Sequence, residues 1–339
     1  MFHPAKTVVV TGASAGVGRA VAVAFARRGW NVAVLARGAD RLEAARREIE
    51  VVGGRGLAIP TDVAEAQAVF AAADRVVDEW GGIDVWVNNA MVTIYSPVHE
   101  VSPEEFRRVT EVTYLGQVHG TLAALRHMRP RDAGTILQVG SALSYRAIPL
   151  QSAYCAAKFA VRGFTDALRS ELERARSRIR LTMVQLPAVN TPQFDWARSR
   201  LPRRLQPVPP IHQPEPVAEA IYGAAEHAPR ELWLGLPTVK AILGTMAIPG
   251  LLDSYLAHAA WDGQMTAEPA APRPDNLFEP APGDFGAHGR FDARAENHVL
   301  PVNPQHLRAG LALAAVGVLA GVAGLARAVD RRRLPARAG

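Results

Sequence analysis

Ser141, Tyr154 and Lys158 are the residues whose types and spacing could do chemistry together. Tyr154 and Lys158 stand four apart in Tyr154-Cys155-Ala156-Ala157-Lys158, so on a helix a phenol and an ammonium share one face, one turn apart. Ser141 lies just past the apolar run Thr135-Ile136-Leu137-Gln138-Val139, which predicts a buried strand. A strand end carrying a hydroxyl, facing a helix that presents a phenol beside an ammonium, can move a proton to or from an oxygen. Tyr-x-x-x-Lys alone occurs by chance in many helices, so its weight depends on what precedes it.

What precedes it is a nucleotide-type loop. Lys6 to Thr11 is a short apolar run, followed by Thr11-Gly12-Ala13-Ser14-Ala15-Gly16-Val17-Gly18 and a helix with Val21, Ala22, Phe25 and Ala26 on one face. Glycines between a strand and a helix let the backbone turn tightly and approach a pyrophosphate at the helix N-terminus. A plain glycine turn is the competing reading, but here both the strand and the helix are present. A second strand, Asn31 to Ala36, ends at Arg37, about where a dinucleotide fold reads the ribose. An acidic residue there would take a 2′-hydroxyl, whereas an arginine accommodates a 2′-phosphate. Arg37 therefore favours NADP(H) over NAD(H), against the blander reading of a solvated arginine at a helix start.

Further strands are expected at Gly56 to Pro60, Gly82 to Val87 and Ile179 to Leu186, separated by helices that include a long stretch from Pro103 to Met128. Strands alternating with helices predict an α/β fold, a Rossmann-type doubly wound parallel sheet of about seven strands, with a C-terminal extension. Residues 187–216 hold eight prolines and read as a long loop suited to covering a substrate. Val217 to His227 reads as a helix, Glu231 to Leu234 as an edge strand, and Val239 to Trp261 as helical with a break at Pro249-Gly250. The expected organisation is a catalytic domain over 1–260, then a Pro/Gly-rich segment over 261–305 that is either draped on the domain or a linker. A candidate membrane helix over 306–327 and a basic tail over 328–339 complete it.

Composition narrows the partners. The 339 residues are 49% apolar and 21% charged, ordinary for a globular protein. The pI of 9.9 suggests nucleic acid, but five arginines against Asp330 put +4 of the net +6 into residues 327–339. The nearly neutral body is no footprint for DNA or RNA. Residues 309–326 carry no charge, and eighteen helical residues span about 27 Å against a hydrocarbon core of about 30 Å. Only seven are Leu or Val, worth roughly −2 to −4 kcal/mol of insertion, so spanning is marginal. Arginines after the stretch favour a cytoplasmic C-terminus, which conflicts with a cytoplasmic catalytic domain unless the helix lies in the interface or re-enters. The expectation is a membrane-associated protein with its catalytic domain in the cytoplasm, and otherwise a cytoplasmic one. One cysteine excludes an intrachain disulfide, and the opening residues carry no secretory signal.

Taken together these motifs resemble the short-chain dehydrogenase/reductase family over about residues 6–235. Thr11-Gly12-x-x-x-Gly16-x-Gly18 is similar to its cofactor loop, Asp62 to its adenine contact, Asn88-Asn89-Ala90 to its strand-four motif, and Pro187 to Thr191 to its nicotinamide clasp. The resemblance implies hydride transfer between a nicotinamide and a small-molecule carbonyl or alcohol, with an apolar substrate if the site works at a membrane. Tyr154 would be the general acid/base, Ser141 would hold the substrate oxygen, and Lys158 would assist Tyr154 and bind ribose. Gly12, Ser14, Gly16, Val17, Gly18, Arg37, Asp62, Asn89, Tyr154, Lys158, Pro187, Val189 and Thr191 would hold the cofactor. A homo-oligomer paired through the two long helices is implied as well.

Three positions depart from the family pattern. Thr113 stands where a catalytic asparagine is usual, and its contribution would run through a backbone carbonyl. Met91 and Ala188 replace glycines and add bulk near the pocket. A dinucleotide-binding sensor or membrane-tethered scaffold of the same fold is the alternative function. Cys155 reads as packed in its helix, Trp80, Trp86 and Trp261 as core or edge packing, and the histidine spacing offers no metal site.

Overall fold

The computed structural model describes residues 5–307 and Gly310. Its centre is an eight-stranded sheet built from β1 (Thr7–Thr11), β2 (Asn31–Ala36), β3 (Arg55–Pro60), β4 (Val85–Asn88), β5 (Thr135–Ser141), β6 (Arg180–Leu186), β7 (Glu231–Leu234) and β8 (Pro301–Val302). The order is β8-β7-β6-β5-β4-β1-β2-β3, and every neighbouring pair is parallel except β7 with β8. Order reverses between β1 and β4, which opens a crevice at the C-terminal ends of those strands.

Alternation along the strands sorts the core into two layers. Val8, Val10, Val32 and Val34 face the helices α1 (Gly16–Ala26), α2 (Ala39–Val51) and α7 (Pro214–His227). Val9, Ala33, Leu35 and Ile136 face α3 (Ala66–Trp80), α4 (Pro103–Thr110), α5 (Gly116–Met128) and α6 (Ser152–Arg174). Burial on both faces is why these strands read as continuous apolar runs rather than alternating ones. Two further helices, α8 (Leu236–Ala247) and α9 (Pro249–Gly263), form a hairpin beside β7.

The sheet has one strand more than the sequence predicts. The extra strand comes from residues 261–305, which lie against the domain rather than hanging from it. Met265–Pro269 pairs with Arg203–Leu205, Ala295–Glu296 pairs with Ile211–His212, and β8 adds to the β7 edge. Leu277 is fully buried in the α3–α6 layer. The loop expected over 187–216 likewise contains a helical turn, Gln193–Trp196, and short strands. Of the candidate membrane stretch 306–327 only His306, Leu307 and Gly310 lie within the described residues, and the basic segment 328–339 lies outside them. Among the described residues no helix is long and apolar enough to cross a membrane.

Candidate active site

A continuous cavity of about 400 Å³ runs along the C-terminal strand ends, from Arg37 and Asp62, past the glycine loop and Ser141, to the α8–α9 hairpin. Ser141 ends β5, and its Oγ accepts a hydrogen bond from the Leu143 amide at 3.1 Å, capping the tight turn that follows. Tyr154 and Lys158 sit in the first two turns of α6, almost wholly buried. The Lys158 ammonium donates to the Val139 carbonyl at 2.7 Å and lies 5.6 Å from the centre of the Tyr154 ring.

Burial dominates the electrostatics of this pair. It raises the Tyr154 pKa well above the ordinary phenol value, with the neighbouring Cys155 adding to the rise and Ser141 opposing it. It lowers Lys158 from 10.5 to about 7. Both side chains are therefore pushed toward their neutral forms, which suits a phenol that must keep a proton until a substrate oxygen takes it. Cys155 is buried and pushed up to about 11 by burial, so it is packed and not poised as a thiolate.

The glycine loop is fitted to its surroundings so tightly that side chains are excluded. A Cβ on Gly18 would stand 2.4 Å from the Gly12 carbonyl oxygen and 2.5 Å from Asn89 Nδ2. Gly12 and Gly16 adopt φ of +67° and +59°, which only glycine takes without strain. Asn89 braces this loop, its Nδ2 donating to the Thr11 and Gly12 carbonyls at 3.0 and 3.3 Å. Gly12, Ser14, Gly16, Val17, Asp62, Asn89, Pro187, Val189 and Thr191 all line the cavity, as do Met91 and Ala188. This open backbone cradle beside a cleft suits a dinucleotide.

Three sequence-derived expectations are qualified. The Thr113 hydroxyl donates to the Val92 carbonyl at 2.8 Å and accepts from the Val92 amide at 3.1 Å, and the side chain does not line the cavity. It sits in a π-helical turn, Glu111–Leu115, and braces the segment after β4. Arg37 lines the cavity, but its guanidinium donates to the carbonyls of Asn276 and Phe278, each at 2.5 Å, and of Leu277 at 3.5 Å. Trp261, expected in core or edge packing, is not in the core: it is 39% exposed on α9.

Other participants had weak sequence signals. The segment 273–292 crosses the nucleotide end of the cavity. Asn276 and Pro280 line it, the Gly286 carbonyl accepts from the Gly16 amide at 3.0 Å, and Asp284 pairs with buried Arg19 at 2.5 Å. Arg41 is 93% buried and lines the same end. It stacks over Trp196 at 5.2 Å and has no hydrogen bond or ion pair among the described residues. Burial lowers its pKa, partly offset by Asp284. Its position one helical turn beyond Arg37 was the available clue. Behind Ser141 runs a buried polar chain. The Tyr145 hydroxyl donates to Glu231 at 2.8 Å, Gln185 Nε2 donates to Glu231 at 2.7 Å, and Gln185 Oε1 accepts the Ser141 amide at 2.8 Å. The acidic first residue of Glu231-Leu232-Trp233-Leu234 hinted at it. No group of three or more metal-ligating side chains occurs among the described residues.

Comparison with known proteins agrees with this geometry. The family model described as short chain dehydrogenase matches residues 6–201. An uncharacterised oxidoreductase of Bacillus subtilis, YxnA, is 32% identical over 290 residues, covering 84% of this chain and 80% of its own. The 3beta-hydroxysteroid dehydrogenase 1 of Eggerthella lenta is 36% identical over 224 residues, covering 63% of this chain and 84% of its own. Among solved structures, an alcohol dehydrogenase of Thermococcus sibiricus complexed with 5-hydroxy-NADP superposes with a TM-score of 0.58 at 30% identity, covering 67% of this chain and 95% of that one.

Proposed function

Because this chain belongs to the short-chain dehydrogenase family and is an NAD(P)-dependent oxidoreductase, we propose that it interconverts an apolar carbonyl and its alcohol with Tyr154 as general acid/base. The observation that carries this reading is the meeting of Ser141, Tyr154 and Lys158 on one wall of a cavity whose other end is the glycine cradle. A bound nicotinamide supplies or accepts the hydride. In reduction Tyr154 gives its proton to the substrate oxygen, and Ser141 Oγ holds that oxygen beside the phenol. Lys158, whose pKa of about 7 leaves it able to gain or lose a proton near neutrality, favours the phenolate when charged and can return the proton. The Gln185–Glu231–Tyr145 chain fixes the Ser141 backbone and so the angle of its hydroxyl.

NADP(H) is the preferred cofactor in this reading, with Arg41 in the role first expected of Arg37. Supporting this, Arg41 is the buried guanidinium without a partner among the described residues, while Arg37 is engaged by the 276–278 carbonyls. An anion at Arg41 would also be shielded from water, where a charge-assisted hydrogen bond is strong. The apolar character of the substrate is supported by Met91, Ile148, Phe194, Val208 and Leu256 around the far end of the cavity. The resemblance of the 3beta-hydroxysteroid dehydrogenase makes sterols sensible first compounds. Leu122 on α5 and Phe159 on α6 are exposed and support pairing of those helices in a homo-oligomer.

The test is a panel of aldehydes, apolar ketones and keto-sterols with NADPH and NADH. Consumption of NADPH with apolar ketones is expected. Tight NADPH binding without turnover on any compound would favour the sensor reading instead.

A further inference from the structure

The α8–α9 hairpin is the least protected apolar surface of the described residues. Of its two helices only Thr238, Ile242 and Ala260 are buried. Leu236, Leu243, Met246, Ile248, Leu251, Tyr255 and Trp261 are between 38% and 71% exposed. Half of the exposed large apolar side chains among the described residues therefore fall on this one hairpin. Charge is sparse there, and Asp253 is already paired with Arg146 at 2.5 Å. A patch of this kind marks an interaction surface.

What covers it follows from the chain path and the cavity. The hairpin forms one wall of the cavity through Thr238, Ala241, Leu256 and Ala260, so its outer face lies directly across from the substrate chamber. After β8 the chain returns to the same place, where Leu307 packs on the cluster of Tyr145, Trp233 and Ile242. The sequence that follows, 309–326, has no charged residue and leads into Arg327, Arg331, Arg332 and Arg333. Exposed leucine, methionine and isoleucine suit acyl chains, tyrosine and tryptophan suit the headgroup boundary, and an arginine cluster suits anionic headgroups.

We propose that α8 and α9 lie on an anionic lipid surface with Met246, Ile248, Leu251 and Tyr255 dipped into it, bringing the substrate chamber to the membrane. This rests on the active-site reading only for what the chamber holds, since lipid binding is measured without turnover. It also accounts for the orientation conflict in the sequence, because a protein lying in the interface need not place its two ends across the bilayer.

The experiment uses the full chain with Leu251→Cys carrying an environment-sensitive fluorophore, and Val51→Cys on α2 as a second label site, since the native Cys155 is buried. Vesicles of phosphatidylcholine with and without phosphatidylglycerol are the probe. Flotation with the anionic vesicles, a blue shift at position 251 and none at position 51 are expected. The unlabelled Leu251→Asp/Tyr255→Asp variant should partition at least about tenfold less. Three outcomes overturn the proposal. The protein does not float, or it floats with position 251 unchanged, which leaves residues 309–339 as the sole anchor. In the third, position 251 shifts without vesicles as protein concentration rises, which makes a second copy the occupant. NADPH turnover in solution, followed in parallel, fails only if the active-site reading fails.

Discussion

Replacing Lys158 by methionine isolates the cost of burying an ammonium at this site. Methionine keeps the length and apolar stem, and the Val139 carbonyl retains its other donor, Gln117 Nε2 at 3.2 Å. In the folded protein burial lowers the lysine from 10.5 to about 7, so the folded chain binds this proton less tightly than the unfolded one. Between those two values the unfolded chain holds more protons, and stability must rise with pH. Below pH 7 both states are largely charged and the difference is constant. Each pKa unit is worth about 1.4 kcal/mol, so the step from pH 7 to pH 9 should add about 2 kcal/mol to the wild type. At the unfolding entropy of a chain this size, that corresponds to about 3 °C in Tm. Thermal unfolding of wild type and Lys158→Met without cofactor at pH 7, 8 and 9 should show the wild type gaining by that amount over the variant. Tyr154 is present in both and titrates above this window, so it cancels. Parallel curves would refute the reasoning, because they would mean that Lys158 keeps its charge or its water in the folded state.

Four further substitutions probe the nucleotide end of the cavity and the support of Ser141. Arg41→Ala should weaken NADPH binding by about tenfold to a hundredfold and NADH binding little, as loss of one charge-assisted phosphate contact would do. Arg37→Ala, by releasing the 276–278 carbonyls, should weaken both nucleotides alike; fluorescence titration distinguishes the two. Gln185→Leu should lower kcat about tenfold while leaving the NADPH dissociation constant within about twofold, since it touches the Ser141 backbone and not the nucleotide end; steady-state kinetics beside a titration checks it. Gly18→Ala should abolish measurable NADPH binding, because its methyl would collide with the Gly12 carbonyl at 2.4 Å and Asn89 at 2.5 Å. A variant that still titrates normally would show that the loop can yield.

Much of the architecture was readable because both sheet faces are buried, so β1, β2, β4, β5 and β6 announced themselves as apolar runs between helices. Glu231–Leu234 was found at its bounds for the same reason, but it is not the edge strand expected, because β8 pairs along its outer side. β8 itself was not found, since two residues, Pro301 and Val302, carry no period, and their pairing is decided by the exposed β7 edge. The cluster of Ser141, Tyr154 and Lys158 was legible from spacing because two of its members share a helix. Arg37 was legible as a position but not as a contact: its partners are backbone carbonyls some 240 residues away, which no local pattern encodes. Residues 261–305 read as a draped segment or a linker because their order comes from ion pairs and short bridges, such as Arg19 with Asp284, and from single buried side chains, such as Leu277 and Phe291, that follow no helix or strand period. Thr113 was placed by analogy with a catalytic asparagine. Its hydroxyl is spent on Val92, and only its backbone remains for the proposed role.

The central claim is that Tyr154 handles the substrate proton, and single-turnover reduction by Tyr154→Phe tests it most directly. With the full chain preloaded with NADPH and mixed with an apolar ketone that the wild type reduces, the variant should bind NADPH with wild-type affinity. Its rate of NADPH oxidation should fall by at least about 10²-fold, the scale of general acid catalysis. A single-turnover rate within a few fold of wild type, with the same nucleotide affinity, would contradict it.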